Sequence, residues 1–128
     1  MILDSSAVVA ILLSEPDHED IYHKILRAET VGIGAPTLTE TGIVLTARLR
    51  RPAQSILRKF LDRAGVTVVS FDERHWQLSL EAFERYGKGR HPARLNFGDC
   101  LSYATAKLAG QPLLCVGNDF AQTDVELA

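Results

Sequence analysis

The 128-residue chain has little cysteine, with Cys100 and Cys115 alone, and no surplus of either charge: 14 basic residues face 16 acidic ones, a formal net charge of -2. Two cysteines without an export signal point to a reducing compartment rather than a disulfide framework. His18, His23, His75 and His91 share no ligand spacing with one another or with the cysteines, which argues against a zinc centre or a catalytic histidine. The charge balance excludes a global positive field, so any polyanion has to be held by a local patch. The longest uncharged apolar run, Ala7 to Leu13, falls far short of the roughly 20 residues that cross a bilayer. The N-terminus carries Asp4 and no basic leader, unlike a secretory signal. Repeats, linkers and low-complexity tracts are also missing. A cytoplasmic protein with no membrane association is expected.

What is present is enough apolar residue, 46%, for one domain over residues 1–128 to bury its own core. Met1 to Leu3 reads as a strand, followed by a helix from Ala7 to Leu13 capped by Ser5 or Ser6. Pro16 suits the first turn of a second helix with Ile21, Tyr22, Ile25 and Leu26 on one face. Thr30 to Ile33 is a second strand, and Thr37 opens a helix to about Arg50. Beyond Pro52, Ile56, Leu57, Phe60, Leu61 and Ala64 mark a fourth helix. Val66 to Phe71 is the clearest strand, and Asp72 caps a helix that turns Trp76, Leu80 and Phe83 inward. A polar loop follows Tyr86. Gly98 and Asp99 then start a helix ending near Gly110, and Pro112 to Val116 is the last core strand. Val125 to Leu127 either adds an edge strand or frays. Alternating strands and helices give an α/β class, with a mostly parallel central sheet flanked by helices on both faces.

Asp4, Glu40, Asp99 and Asp119 each fall where an apolar segment ends or a helix begins. Each also has a local explanation. Asp4 can cap a helix, Asp99 suits a helix N-terminus, Asp119 can stabilise a turn with Asn118, and Thr37-Leu38-Thr39-Glu40 fits a capping box. Together they say more, because strand C-termini and the helix starts after them share one edge of a parallel sheet. Two carboxylates about 5 Å apart repel by roughly 3 kcal/mol at an effective dielectric near 20, so such a cluster calls for protons or a cation. An all-oxygen donor set favours Mg²⁺ or Mn²⁺ over Zn²⁺, and such ions promote in-line displacement at phosphodiesters without a side-chain nucleophile.

Leu3-Asp4-Ser5-Ser6-Ala7, Glu15-Pro16, Glu40, Tyr86-Gly87-Lys88-Gly89-Arg90, Leu95-Asn96-Phe97-Gly98-Asp99-Cys100 with Ser102-Tyr103-Ala104, and Pro112-Leu113-Leu114 ahead of Gly117-Asn118-Asp119-Phe120 together resemble a PIN-domain ribonuclease. More narrowly, the chain is similar to the VapC toxins of VapBC toxin–antitoxin modules. The resemblance implies a metal-dependent endoribonuclease, and attack by a metal-bound water from the side opposite the 3′ oxygen would leave a 5′-phosphate and a 3′-hydroxyl. It places Asp4, Glu40, Asp99 and Asp119 in catalysis, with Asp4, Asp99 and Asp119 on Mg²⁺ or Mn²⁺ and Ser6 supporting the site. Many relatives carry two adjacent acids where this chain has Asn118-Asp119, so Asp119 acts alone or Asn118 adds its amide oxygen. It also implies a VapB-type antitoxin that blocks the pocket, often with a basic side chain in place of the metal. A homodimer within the toxin–antitoxin complex, and operator DNA bound only through the antitoxin, complete the expectation.

Other features carry two readings. Lys88, Arg90 and Arg94, with His91, either clamp RNA phosphates beside Asp99 or form an ordinary solvated loop. Arg48, Arg50, Arg51, Arg58, Lys59 and Arg63 either extend that track or cover exposed helix faces. Ser102 and Tyr103, one turn past Asp99, are expected to orient either a ligand carboxylate or a phosphate. Trp76 reads as core rather than as an RNA-stacking platform, and both cysteines as buried apolar residues. A non-catalytic PIN-like scaffold and an Asp-based phosphatase or phosphoacceptor are the competing functions. The first usually loses acids that this chain keeps, and the second lacks its further acidic motifs.

Overall fold

The computed structural model describes residues 1–128. Four strands, β1 (Ile2–Leu3), β2 (Val31–Gly34), β3 (Val66–Val69) and β4 (Leu113–Leu114), form one sheet in the order β3-β2-β1-β4, and every pairing is parallel. Six helices connect them: α1 (Ser5–Leu12), α2 (His18–Arg27), α3 (Ala35–Leu49), α4 (Gln54–Ala64), α5 (Glu73–Tyr86) and α6 (Phe97–Ala109). The strand order reverses on either side of β1, and at such a switch point the helices leave a crevice at the strand C-termini.

Strand alternation divides the apolar side chains between two cores. Leu3 and Leu114 point into one, with Val8, Ile25, Ile33, Leu45, Leu57 and Phe60 of the α1–α4 side. Ile2 and Leu113 point into the other, with Tyr86, Leu95, Tyr103 and Ala106 of the α5–α6 side. Fully burying one such aliphatic side chain contributes about 1.5–3 kcal/mol, so even the two-residue strands β1 and β4 are firmly seated.

Several element boundaries differ from the sequence expectation. Asp4, not Ser5 or Ser6, caps α1. The second helix begins at His18, because Asp17 sits in the left-handed region at φ 64° and separates it from Pro16. The third begins at Ala35 rather than Thr37: β2 runs directly into it through Gly34, and Pro36 lies in its first turn, where proline loses no hydrogen bond. The fourth and fifth follow the expectation, with Asp72 capping α5 through Arg74 N at 3.0 Å. Trp76, Leu80 and Phe83 do not face inward. The stripe His75, Ser79, Ala82 and Tyr86 is buried instead, so α5 meets its neighbours through smaller and polar side chains. The tail pairs rather than frays, Leu113 N donating to Glu126 O at 2.8 Å and Ala128 N to Leu113 O at 3.0 Å.

Candidate active site

The site is built around Asp4, which ends β1 and is only 5% exposed. Its Oδ2 accepts from Ser6 N at 3.0 Å and from Ser6 Oγ at 2.6 Å. Its Oδ1 accepts from Ser102 Oγ of α6 at 2.6 Å. The carboxylate therefore caps α1 and is fixed from across the sheet as well, and three donors still leave room for another partner among its four or so lone-pair positions. Ser6 Oγ in turn accepts from Val116 N at 3.0 Å, tying the start of α1 to the segment after β4.

Asp99 enters from α6, whose first turn is a reciprocal capping box. Asn96 Oδ1 accepts from Asp99 N and Asp99 Oδ2 accepts from Asn96 N, each at 2.9 Å. Burial pushes the Asp99 carboxyl up to about 6, opposed by the Asn96 backbone bond and reinforced by the negative fields of Asp4, Asp119 and Glu40. Asp4, Asp119 and Glu40 thus lie within electrostatic range of Asp99.

Glu40 is free of the capping role that its spacing suggested. Because α3 starts at Ala35, Thr37 lies inside the helix, and its hydroxyl is 3.4 Å from Ser102 Oγ rather than on a helix cap. The Glu40 carboxylate lies against Gly98, where an added Cβ would fall 3.0 Å from Cδ and closer still to Oε2. Glycine at 98 thus lets the start of α6 approach α3 beside the acid.

Asp119 and Asn118 are exposed in the loop after β4. No three His, Cys, Asp or Glu side chains are gathered closely enough to hold an ion between them. The site is an acidic neighbourhood, not a closed cage. Its oxygen-only donors and mutual repulsion suit a hard divalent cation that retains part of its water shell.

Of the proposed supporting residues, Ser6 and Ser102 reach Asp4, whereas Tyr103 does not join them. Its hydroxyl donates to Asp124 Oδ1 at 2.6 Å, away from the acids, because it lies on the α6 face turned toward Tyr86 and the chain's end. Lys88, Arg90 and Arg94 are exposed on a loop closed by Lys88 N to Leu95 O at 3.0 Å, and none makes an ion pair. His91 is turned edge-on to Tyr86 and accepts from Ala93 N at 3.1 Å. Cys115 is not a simple core residue. It is half-buried beside Asp4, and burial, with the fields of Asp4, Asp119 and Asp99, pushes its thiol up to about 11. The sequence held the signal: Cys115 follows β4 just as Asp4 follows β1, and Leu3 pairs with Leu114.

The PIN-domain family model matches residues 1–126. The chain belongs to the PIN-domain family. Among curated relatives, this PIN domain is 50% identical over 127 residues to ribonuclease VapC36 of Mycobacterium tuberculosis, covering 98% of this chain and 91% of that one. Its fold is also that of M. tuberculosis VapC20, described as a Sarcin-Ricin loop cleaving toxin, with a TM-score of 0.78 at 17% identity over 99% and 97% of the two chains. VapBC2 of Rickettsia felis, solved on a DNA fragment from its promoter, aligns with a TM-score of 0.75 at 16% identity over 99% and 96%. No helix of this PIN domain is long and apolar enough to cross a membrane.

Proposed function

We propose that this PIN domain is a divalent-metal-dependent endoribonuclease toxin that hydrolyses RNA phosphodiester bonds and is neutralised by a VapB-type antitoxin. The observation that supports this reading is that α6, which carries Asp99, is bonded to Asp4 through Ser102 and lies against Glu40 at Gly98, in a chain with a relative named ribonuclease VapC36. Asp4, Asp99 and Asp119 would hold Mg²⁺ or Mn²⁺ partly through its retained waters, since their side chains do not close around an ion directly, and Asn118 would add its amide oxygen. Such an ion polarises a phosphoryl oxygen and stabilises the leaving oxygen of an in-line displacement.

The protein's own groups supply the rest. Ser6 and Ser102 hold the Asp4 carboxylate in one orientation, so it need not reorganise when substrate arrives. Glu40, without a backbone partner, takes up the proton of the attacking water. The new bond joins that water's oxygen to phosphorus, the bond from phosphorus to the 3′ oxygen breaks, and a proton on that oxygen leaves a 3′-hydroxyl opposite a 5′-phosphate. Lys88, Arg90 and Arg94 neutralise backbone phosphates alongside.

The partner reading rests on the same family placement. The antitoxin covers the acidic site, the toxin pairs as a homodimer within the complex, and operator DNA is bound only through the antitoxin; R. felis VapBC2 is itself a complex bound to a DNA fragment from its promoter. The test is cleavage of structured RNA by purified protein in Mg²⁺, Mn²⁺ or EDTA, beside Asp99→Asn. Cleavage that EDTA abolishes and the variant lacks supports the reading. A folded Asp99→Asn protein that cuts as well as the parent overturns the site. Growth arrest on expression, relieved by Asp4→Ala or by the co-expressed antitoxin, tests the toxin role.

A further inference from the structure

Phe97 is the most exposed large apolar side chain of the protein, at 79%, and it stands at the first turn of α6 two residues before Asp99. It is not a loose surface residue. The Asn96–Asp99 capping box fixes the backbone on both sides of it, and the next residue, Gly98, lies against the Glu40 carboxylate. The side chain is therefore held at the lip of the acidic site.

From that lip runs an apolar groove of about 510 Å³, whose lining includes Phe97, Trp76, Leu80, Phe83 and Pro36. That volume is within the range of sites that enclose small planar ligands. Trp76 is 53% and Phe83 36% exposed, and Pro36 precedes Glu40 by one helical turn. The groove thus shares helix α3 with Glu40 and helix α6 with Asp99. At its far side the Arg90 guanidinium lies 5.6 Å from the centre of the Phe83 ring, and Lys88 and Arg94 on the same loop are unpaired.

We propose that Phe97, backed by Trp76 and Phe83, is a stacking platform for an unpaired RNA base next to the scissile phosphate. This rests on the ribonuclease reading and adds a positioning site to it. Single-stranded RNA offers a flat apolar face on every base and a charge on every phosphate, and this groove pairs aromatic faces with cations at a phosphate-processing centre. Stacking tolerates any base. It would seat unpaired nucleotides of whatever sequence while a duplex, whose bases are already stacked, gains nothing from it.

Trp76 is the only tryptophan, so its fluorescence reports directly on the groove. The experiment titrates the full-length protein, carrying Asp99→Asn so that RNA stays intact, with short single-stranded oligoribonucleotides and with polyphosphate, which has the charge but no bases. Saturable quenching by RNA and little by polyphosphate is expected. Phe97→Leu, which keeps apolar bulk without the ring, should weaken RNA binding roughly 5- to 100-fold, and Phe97→Tyr should restore it. Unchanged affinity in Phe97→Leu overturns the proposal. So does a change in sedimentation with no change in RNA affinity, which would assign the face to a second copy or to the antitoxin. If Trp76 is quenched in a Phe97-dependent way but the parent protein never cleaves RNA with Mg²⁺ or Mn²⁺, the platform stands and the nuclease reading falls.

Discussion

Ser102 Oγ donates to Asp4 Oδ1 across 98 positions of sequence at 2.6 Å, and both side chains are buried. This one hydrogen bond joins the end of β1 to the middle of α6. It also holds the carboxylate that organises the site.

Ser102→Ala removes that donor and leaves a buried carboxylate oxygen short of a partner. The expected cost is about 1–3 kcal/mol of stability, with cleavage reduced tenfold or more as Asp4 loses its fixed orientation. Urea denaturation and single-turnover cleavage measure the two effects. Full cleavage by the variant would show that Asp4 needs no support from α6.

Gly98→Ala separates structure from chemistry in another way. The new methyl group meets the Glu40 carboxylate, the mobile end of a flexible side chain, so the fold can yield by moving it. Melting temperature should hardly change while cleavage falls by one to two orders of magnitude, roughly what a displaced catalytic group costs. Cleavage at the parent rate would remove Glu40 from the mechanism.

The metal-free protein should lose stability as pH rises. The Asp99 carboxyl is lifted to about 6 in the fold against about 4 in an unfolded chain, so between these values the native state binds more protons. Stability contributed by the protonated form is present below about pH 4 and is gone above about pH 6. Because the side chain is partly exposed, the amplitude should fall short of the roughly 3 kcal/mol a fully buried group would give. Thermal melts in EDTA across this window, compared with Asp99→Asn, isolate the effect. Added Mg²⁺ should raise the parent's melting temperature more at pH 7 than at pH 5. Identical pH profiles for parent and variant would contradict the assignment.

Tyr103→Phe tests the correction to the site. Tyr103 binds Asp124, which also meets Lys107 at 3.2 Å and Arg85 at 3.7 Å, so it anchors the C-terminal segment to α6. Its loss should cost about 1.5 kcal/mol of stability and leave kcat unchanged. A large fall in kcat in the folded variant would return Tyr103 to the active site.

Much of this was legible in the chain itself. The strands at Met1 to Leu3 and Pro112 to Val116, the cap at Asp72 and the helical spacing of Leu57, Phe60 and Leu61 are local patterns with local causes. Proposed residues at strand ends, Asp4 above all, could be placed because a parallel sheet gathers its C-terminal ends on one edge. The stripe that α5 buries was not legible. Trp76, Leu80 and Phe83 are at helical spacing and more apolar than His75, Ser79 and Ala82, and only packing against α6 and the sheet decides which stripe fits.

The sequence by itself determined the α/β class and, through its motifs, the PIN-domain family, because periodicity, capping and motif spacing are short-range properties of the chain. Tertiary structure alone decided what surrounds each acid. Ser102 rather than Tyr103 reaches Asp4, Glu40 is released from its capping box because α3 begins at Ala35, and burial among three other acids is what lifts the Asp99 carboxyl. Those outcomes depend on distances between residues far apart in the chain, and on the desolvation that comes with them.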